Sequence, residues 1–333
     1  MKLLFIGGTG VISSEITMLS LKKGHEVYLL NRKSGQEYTA LGAKHIKADI
    51  RDPEGVKAAI NGMEFDVVAD FICYTKSQAE KDYELFNGRC GQFMFISSAS
   101  VYYKPAGGYL ITESTPIKNP YWQYSRDKIE CEDYFFKKYR ENDFPVTIIR
   151  PSHTYGQGKL PTALSGAKSS WTHLEIMRRG DPVIVHGDGT SLWTLTHSAD
   201  FAVGFCGLMG RNMAVGHPFH ITSDEYLSWD GIMNIIGKAL GVSPNIVHIT
   251  SDDIIKHYPE YEGTLLGDKS NSAIFDNSKI KRFVPEFNAV IPFEEGARQV
   301  IGYMNERPEL QIVDEDYMQK MKGLARSVRE GIA

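Results

Sequence analysis

The sequence predicts an α/β protein in which a doubly wound parallel sheet over residues 1–155 is followed by a smaller lobe over residues 156–333. Three observations predict this. Short apolar runs alternate with helix-length amphipathic segments up to about residue 150, a glycine-rich turn directly follows the first run, and the alternation stops where Pro and Gly become frequent. Strand and helix patterns that alternate in this way favour right-handed crossovers and a parallel sheet.

The apolar runs predict buried strands because they are short, β-branched and almost continuously hydrophobic. The predicted strands are residues 2–6, 26–30, 66–71, 93–96 and 146–149. The predicted helices between them are residues 13–23, 52–61, 77–90 and 124–141. Residues 195–210 are expected to return to the main sheet, and most of the remaining second half is expected to form the smaller, substrate-binding lobe.

Composition and charge narrow the class of protein. The net charge of -4 and the pI of about 6.2 disfavour nucleic acid and anionic membrane surfaces as partners. No apolar run approaches the ~20 residues that span a bilayer. The four cysteines are scattered, without the spacing of a metal site or a disulfide framework. These features predict a cytoplasmic enzyme or binding protein without a bound metal.

The first predicted strand runs directly into Gly7-Gly8-Thr9-Gly10-Val11-Ile12 and then into a helix. Gly7 allows a tight turn and Gly10 allows the backbone to approach a pyrophosphate, while the helix offers free N–H groups to that anion. Ser13 stands where a third glycine is common, and its small side chain still permits close packing. We expect all six residues of the turn to contact a dinucleotide.

The ends of later strands predict the rest of the cofactor site. Asn31 and Arg32 end the second strand, where an arginine can neutralise a ribose 2′-phosphate, so Arg32 favours NADP; a solvated loop cation is the alternative. Asp49 is placed to meet the adenine edge, although it could instead share a helix N-cap with Asp52. The further predicted cofactor contacts are Ile50, Phe71 and Ser97.

The predicted catalytic residues are Ser98, Tyr124 and Lys128. Tyr124 and Lys128 are four residues apart and so lie on one face of a helix. A tyrosine normally loses its proton at a pH of about 10, and a nearby cation is expected to lower that pKa, which makes the phenol a usable general acid or base. Ser98 follows a strand at the ligand-binding edge, where its hydroxyl can donate to the reacting oxygen.

These segments together resemble the NAD-dependent epimerase/dehydratase family of extended short-chain dehydrogenases/reductases, of which UDP-glucose 4-epimerase is a familiar member. The segments that match are Gly7-Gly8-Thr9-Gly10, Phe95-Ile96-Ser97-Ser98-Ala99-Ser100-Val101-Tyr102, Tyr124 with Lys128, Arg150-Pro151-Ser152-His153-Thr154-Tyr155-Gly156 and Gly187-Asp188-Gly189-Thr190. The resemblance implies a Rossmann-type fold, bound NAD(P) and hydride transfer assisted by the Tyr-Lys-Ser set.

The resemblance also implies roles for particular residues. Lys128 would bind the nicotinamide ribose hydroxyls, and Pro151 and Ser152 would flank the nicotinamide carboxamide. Related enzymes commonly dimerise through a helix bundle that includes the Tyr/Lys helix, so a homodimer is expected.

Three departures from the family pattern bear on the substrate. The Asp-Glu pair that follows the catalytic Ser/Thr in sugar-nucleotide 4,6-dehydratases is here Ala99-Ser100, which disfavours dehydration. Trp193 stands where epimerases place a diphosphate-binding arginine, and an indole has one donor and no charge. It could stack on a sugar ring or simply pack in the smaller lobe. Lys269 is the predicted substitute for that arginine, with Arg178 and Arg179 as other candidates.

The third departure is His153, which occupies the place of a substrate-contacting asparagine and could be either a substrate contact or a hydrogen-bonded structural residue. Trp122 is expected to wall the substrate pocket. The sequence therefore predicts an NAD(P)-dependent epimerase or oxidoreductase of a sugar or sugar-nucleotide. Two alternatives stay open: an NADPH-dependent reductase of a non-nucleotide carbonyl compound, and a non-catalytic, RNA-associated or regulatory member of the fold.

Overall fold

The computed structural model describes residues 1–33 and 36–330. The strands, in chain order β1 to β12, are Lys2–Ile6, Glu26–Asn31, Lys44–Lys47, Phe65–Asp70, Cys90–Ile96, Val146–Ile149, His153–Tyr155, Pro182–His186, Leu192–His197, Pro218–Phe219, Tyr226–Ser228 and Asn245–Ile249. The helices, α1 to α13, are Val11–Lys22, Gln36–Ala40, Pro53–Ala59, Lys76–Phe86, Gln123–Asn142, Ser170–Arg178, Ser198–Leu208, Trp229–Leu240, Ser251–His257, Glu262–Thr264, Ser278–Phe283, Phe293–Asn305 and Glu315–Arg329. Within the described ranges, no helix has both the length and the apolar character needed to cross a membrane.

The main sheet is parallel throughout and has the strand order β10-β6-β5-β4-β1-β2-β3. The order reverses beside β1, whose last residue Ile6 is paired with Leu30 on β2 and with Asp70 on β4. In open sheets of this type, ligands bind in the crevice outside the carboxyl ends of the strands at such a reversal. The predicted fold class, a Rossmann-type doubly wound sheet, is confirmed.

Helices cover both faces of this sheet and bury a separate apolar core on each face. One core lies under α1 and α7 and includes Phe5, Ile16 and Phe201. The other lies under α3, α4 and α5 and includes Phe93 and Phe135. Because the strands are buried on both faces, they form the nearly continuous apolar runs that are visible in the sequence.

Helix α4 and the edge of the main sheet differ from the sequence-based expectation. Helix α4 ends at Phe86 and not at residue 90, because Gly88 adopts a left-handed conformation (φ 73°) and Cys90 already begins β5. Strand β10 was not expected: Pro218 and Phe219 pair with β6 and add an edge strand to the main sheet. The chain therefore returns to this sheet twice, first through α7, which packs on α1, and then through β10.

The smaller lobe is built on the three-stranded sheet β11-β9-β7 and the pair β12-β8. Its core is large and aromatic, with Trp229 fully buried at its centre and packed 5.5 Å from Trp193 between ring centroids. Strand β7 begins directly after Pro151-Ser152, at the carboxyl end of β6, and pairs with β9. The smaller lobe is thereby attached at the edge of the main sheet where a ligand is expected.

Candidate active site

The glycine turn between β1 and α1 is held by its own side chains. Gly7 has a φ of 74°, which a residue with a Cβ rarely adopts. Ser13 Oγ donates to Gly7 O at 2.7 Å and accepts from Gly10 N at 2.8 Å. Thr17 Oγ1 donates to Gly8 O at 2.8 Å. Ser13, at the position of the usual third glycine, therefore fixes the turn as well as permitting close packing.

A methyl group on Gly8 is expected to disrupt this turn. A Cβ there would lie 2.6 Å from Leu29 Cδ2 and 3.0 Å from Phe5 Cβ, inside the closely packed sheet core. We expect Gly8→Ala to lower the free energy of unfolding by roughly 1–3 kcal/mol, as overpacking does, and to weaken dinucleotide binding. Urea denaturation and a fluorescence titration with NADH or NADPH measure the two effects. Gly302→Ala is the matched control because no atom of the described residues lies within 4 Å of its added methyl; equal behaviour of the two variants would contradict the prediction.

The groove beside this turn is lined by the residues predicted to bind the adenosine half of a dinucleotide. They include Gly7, Thr9, Gly10, Asn31, Arg32, Asp49 and Ile50. The Nδ2 amide of Asn31 is buried and has no hydrogen-bond partner within the described ranges, so it is a donor that a bound ligand would satisfy. The glycine turn leaves room for phosphates, and this orphaned donor lies next to it. These residues fit a dinucleotide.

Asp49 is held by a cation that the sequence analysis did not single out. Arg51 Nε and Nη2 donate to the Asp49 carboxylate at 2.9 and 2.6 Å, and these hydrogen bonds lower the Asp49 pKa to about 2. The cap of α3 is Asp52, whose Oδ1 accepts from Gly55 N. The alternative of a shared N-cap is therefore wrong for the Asp49 side chain. Arg51 lines the groove together with Arg32.

A second cavity continues from this groove along the carboxyl ends of β5 and β6. Its lining brings together residues predicted to hold nicotinamide, to catalyse and to contact substrate. They are Ile12, Phe71, Ser97, Ser98, Trp122, Tyr124, Lys128, Pro151, Ser152, His153 and Trp193. Ser97 and Ser152 use their hydroxyls structurally: Ser97 Oγ donates to Glu132 at 2.5 Å and Ser152 Oγ donates to Thr194 O at 3.0 Å.

Tyr124 and Lys128 lie together, but the pKa of Tyr124 is raised and not lowered as expected. Lys128 Nζ donates to Cys73 O at 2.6 Å and to Ile96 O at 2.7 Å, and it lies 5.8 Å from the centroid of the Tyr124 ring. Burial raises the pKa of Tyr124 to about 12, and the hydrogen bond from Ser98 lowers it only in part. Desolvation is therefore the largest influence on the pKa of this phenol.

His153 and Trp193 line the cavity on the side of the smaller lobe. Burial lowers the pKa of His153 to about 3, with smaller contributions from Lys269 and Lys159, so the imidazole is neutral at physiological pH. Trp193 is only 3% exposed and packs on Trp229 while one face reaches the cavity. Trp193 thus packs in the smaller lobe and also lines the cavity; stacking on a sugar ring stays a prediction.

The structure does not place Lys269 at the cavity, which corrects the expectation that it replaces the missing arginine. Its Nζ donates to Thr162 O at 2.7 Å and Ala163 O at 3.3 Å inside the smaller lobe, and burial lowers its pKa to about 8. The two other candidate arginines are also engaged elsewhere: Arg178 lies over the Trp171 ring and Arg179 pairs with Glu175.

Besides Lys128, three charged residues line the cavity that the sequence analysis did not single out: Lys104, Lys159 and Asp268. Lys104 and Asp268 form an ion pair whose side chains are 3% and 16% exposed, and the Lys104 ammonium lies 5.1 Å from the centroid of the Trp193 ring. Asp268 precedes the predicted Lys269 in the chain, so the segment was located correctly but the side chain that faces the cavity was not.

Comparison with known proteins supports the same fold and cofactor class. The model of the NAD dependent epimerase/dehydratase family matches residues 3–222. The chain is 26% identical over 327 residues to chloroplast stem-loop binding protein of 41 kDa b from Arabidopsis thaliana, covering 94% of this chain and 76% of that protein. It is 20% identical over 288 residues to 2′-dehydrokanamycin reductase from Streptomyces kanamyceticus, covering 86% of this chain and 80% of that protein.

Among solved structures, UDP-glucose 4-epimerase from Bifidobacterium longum in complex with NAD+ and UDP is similar, with a TM-score of 0.76 at 18% identity, covering 94% of this chain and all of that one. At this identity the similarity concerns the fold. The family model, in contrast, spans the glycine turn, the Ser98 and Tyr124 segments and the strands that carry them. This chain belongs to the NAD-dependent epimerase/dehydratase family.

Proposed function

We propose that this protein is an NAD(P)-dependent epimerase or oxidoreductase that acts on a hydroxyl or ketone of a sugar or sugar-nucleotide. The observation that carries the proposal is that Ser98, Tyr124 and Lys128 line one cavity that continues from the glycine turn. Dehydration of the 4,6-dehydratase type is not proposed, because Ala99 and Ser100 have no carboxyl group to move protons.

Each of these residues has a distinct task. Tyr124 takes the proton from the substrate hydroxyl at its Oη, or returns it to a ketone, and Ser98 donates a hydrogen bond to the same substrate oxygen. Lys128 is fixed by two backbone carbonyls beneath the Tyr124 ring and offers its remaining N–H to a ribose hydroxyl. The dinucleotide supplies the hydride acceptor or donor when bound.

We propose that residues 1–155, together with the segments that return to the main sheet, bind most of the cofactor. Residues 156–333 would bind most of the substrate, and they contribute Trp193 and Asp268 to the cavity. We further propose that the protein works in the cytoplasm as a homodimer. Sedimentation of the purified protein tests the dimer; a single species of monomer mass would overturn it.

NADPH is expected to bind more tightly than NADH, because Arg32 and Arg51 both line the adenosine groove and, of these two, only Arg51 forms an ion pair within the described residues, with Asp49. Charge-assisted bonds to a 2′-phosphate contribute roughly 1.5–3 kcal/mol, or about tenfold or more in affinity. Fluorescence titrations of the wild type and of Arg32→Ser measure this preference. Equal affinity of both proteins for NADPH would contradict it.

Mass spectrometry of the dinucleotide released on denaturation then separates the two reaction types. An enzyme that returns the hydride to the same substrate molecule recycles its cofactor, so stoichiometric, tightly held NAD supports an epimerase. A site that releases little dinucleotide and takes up added NADPH supports a reductase, whose cofactor must exchange in every turnover.

A reductase of a non-nucleotide carbonyl compound is the second candidate. Trp193 in place of an arginine disfavours a diphosphate there, because an indole has one donor and no charge. The similarity to 2′-dehydrokanamycin reductase points in the same direction. Oxidation of NADPH with keto-sugars and keto-aminoglycosides, compared with UDP-sugars under the same conditions, discriminates the candidates. Turnover restricted to UDP-sugars would remove the second one.

An RNA-associated role is the third candidate, because the similar Arabidopsis protein is named for stem-loop binding. The net charge of -4 is unfavourable for phosphate contacts, and the three catalytic residue types are intact. Retention of the protein on an RNA stem-loop at low salt, lost steeply as salt is raised, would support this role. No retention at low salt would remove it.

A further inference from the structure

We infer that Ser100 and Ser125 are positioning residues that orient the hydroxyl of Ser98 as a donor towards Tyr124 and the substrate oxygen. The inference rests on the proposed function, in which Ser98 and Tyr124 are the catalytic pair. Ser100 belongs to the three-residue 3₁₀ turn that follows β5, and Ser125 is the residue after Tyr124 on α5.

Three serine hydroxyls form a directed chain. Ser125 Oγ, which is fully buried, donates to Ser100 Oγ at 2.7 Å. Ser100 Oγ lies 2.9 Å from Ser98 Oγ, and Ser100 N donates to the same Ser98 oxygen at 3.2 Å. A hydroxyl has one proton and two lone pairs. Either hydroxyl could donate in the contact between Ser98 and Ser100; because the Ser100 oxygen already accepts from Ser125, we assign the Ser100 proton to Ser98.

The chain of hydroxyls fixes the direction in which the Ser98 hydroxyl donates its proton. With that assignment of the Ser100 proton, the Ser98 oxygen accepts from both the backbone N–H and the hydroxyl of Ser100, which uses both lone pairs. The remaining proton points away from Ser100, towards the cavity that Tyr124 also lines. Hydrogen bonds arranged head to tail polarise one another, so the distal hydroxyls also strengthen the last donor.

The surrounding structure holds this arrangement in place. Asn119 Nδ2 donates to Ser100 O at 2.9 Å and to Gly267 O at 2.8 Å, which ties the turn to the segment of Asp268. Val101 N donates to Ser98 O at 3.2 Å. Because Ser125 and Tyr124 are adjacent on α5, the same helix turn carries the phenol and the first donor of the chain.

The pKa of Tyr124 is the measurable quantity that depends on this chain of serine hydroxyls. Besides burial, the groups that act on it are Ser98, whose hydrogen bond lowers its pKa, and Tyr74 and Asp268, which raise it; the Lys128 ammonium lies 5.8 Å from its ring centroid. A hydroxyl that loses its orientation donates less to the phenolate. Removal of Ser100 or Ser125 hydroxyls should therefore raise the pKa of Tyr124, although Ser125 does not touch that ring.

The experiment measures this pKa by ¹⁹F NMR on protein saturated with NAD+ and labelled with 3-fluorotyrosine, whose more acidic phenol brings the titration into a range that the fold tolerates. Tyr124→Phe identifies the resonance. The variants are Ser98→Ala, Ser100→Ala, Ser125→Ala and Ser100→Thr. Thr154→Val is the matched control, because it removes a buried hydroxyl of the same cavity that lies outside the chain.

The expected result is a rise of roughly half a pH unit or more in Ser100→Ala and Ser125→Ala, a larger rise in Ser98→Ala, and wild-type values in Ser100→Thr and Thr154→Val. A rise in Ser98→Ala alone overturns the inference and leaves the proposed function intact. No rise in Ser98→Ala also overturns the inference, because Ser98 then does not donate to Tyr124; the proposed function is tested separately by the turnover of Tyr124→Phe. An equal rise in Thr154→Val overturns the inference by showing an unspecific effect.

Discussion

Tyr124→Phe is expected to lose turnover by roughly 10²–10⁴-fold while dinucleotide affinity changes little, because a positioned general acid or base contributes that much and the ring itself remains. The phenyl ring keeps its packing on Trp122, whose ring centroid lies 4.9 Å away. The measurement is the initial rate of product formation with the substrate identified by the comparison of keto-sugars, keto-aminoglycosides and UDP-sugars, together with a fluorescence titration of the cofactor. Unchanged turnover would remove Tyr124 from the mechanism.

The pH dependence should follow the Tyr124 pKa, which burial raises to about 12. Where Tyr124 donates the proton, as in ketone reduction, the protonated form is active and the rate should stay flat through neutral pH, falling only as the pH approaches that pKa. Where Tyr124 accepts the proton, the rate should rise with pH over the same range. Tyr124→Phe should abolish this tyrosine-dependent limb. The matched control is Tyr109→Phe, since Tyr109 is 84% exposed and lies outside the cavity lining.

The main sheet could be predicted from the sequence because burial on both faces leaves an unbroken apolar signal in each central strand. Strand β10 could not be predicted, because two residues, one of them a proline, show no periodicity in the sequence. Only their pairing with β6 makes them a strand. The glycine turn and Ser98 come shortly after the ends of strands, and Tyr124 lies in the first turn of a helix. Local sequence therefore locates them at the carboxyl edge of the sheet.

The substrate side could not be predicted in the same way, because its side chains come from loops that only tertiary structure brings together. Lys104 and Asp268 are 164 positions apart in sequence, and no spacing rule links them. The choice of Lys269 failed for a related reason. Neighbours in a π-helical turn face different directions, so Asp268 reaches the cavity while Lys269 points to carbonyls in the interior.

Glu132→Ala is expected to lower the free energy of unfolding by roughly 3–5 kcal/mol, as removal of one partner from a buried ion pair does. Glu132 is completely buried on α5 and accepts from Arg150 Nε at 3.0 Å, from Arg150 Nη2 at 2.5 Å and from Ser97 Oγ at 2.5 Å. The variant would leave the Arg150 guanidinium buried without a counter-charge, over the ring of Tyr102 at 4.9 Å.

This carboxylate links the three elements that carry the proposed active site. Ser97 precedes Ser98 at the end of β5, Arg150 precedes Pro151 at the end of β6, and Glu132 lies one helical turn beyond Lys128 on α5. Glu132→Gln should lose less stability because it keeps the shape and one acceptor oxygen. We therefore expect the order wild type, Glu132→Gln, Glu132→Ala in urea midpoint, with an unchanged m-value.

Two further variants decide whether the unpaired charge causes the loss. In the double variant Glu132→Leu/Arg150→Met both charges are absent, so stability should recover to well above that of Glu132→Ala, since apolar residues can replace a buried pair at little cost. Glu295→Ala removes an exposed partner of Arg298 on α12, where side chains are about half exposed, and should cost no more than about 1 kcal/mol. If Glu132→Ala proves as mild as Glu295→Ala, the pair does not hold the three elements together. If the double variant is instead as unstable as the single one, the loss arises from packing and not from the stranded guanidinium.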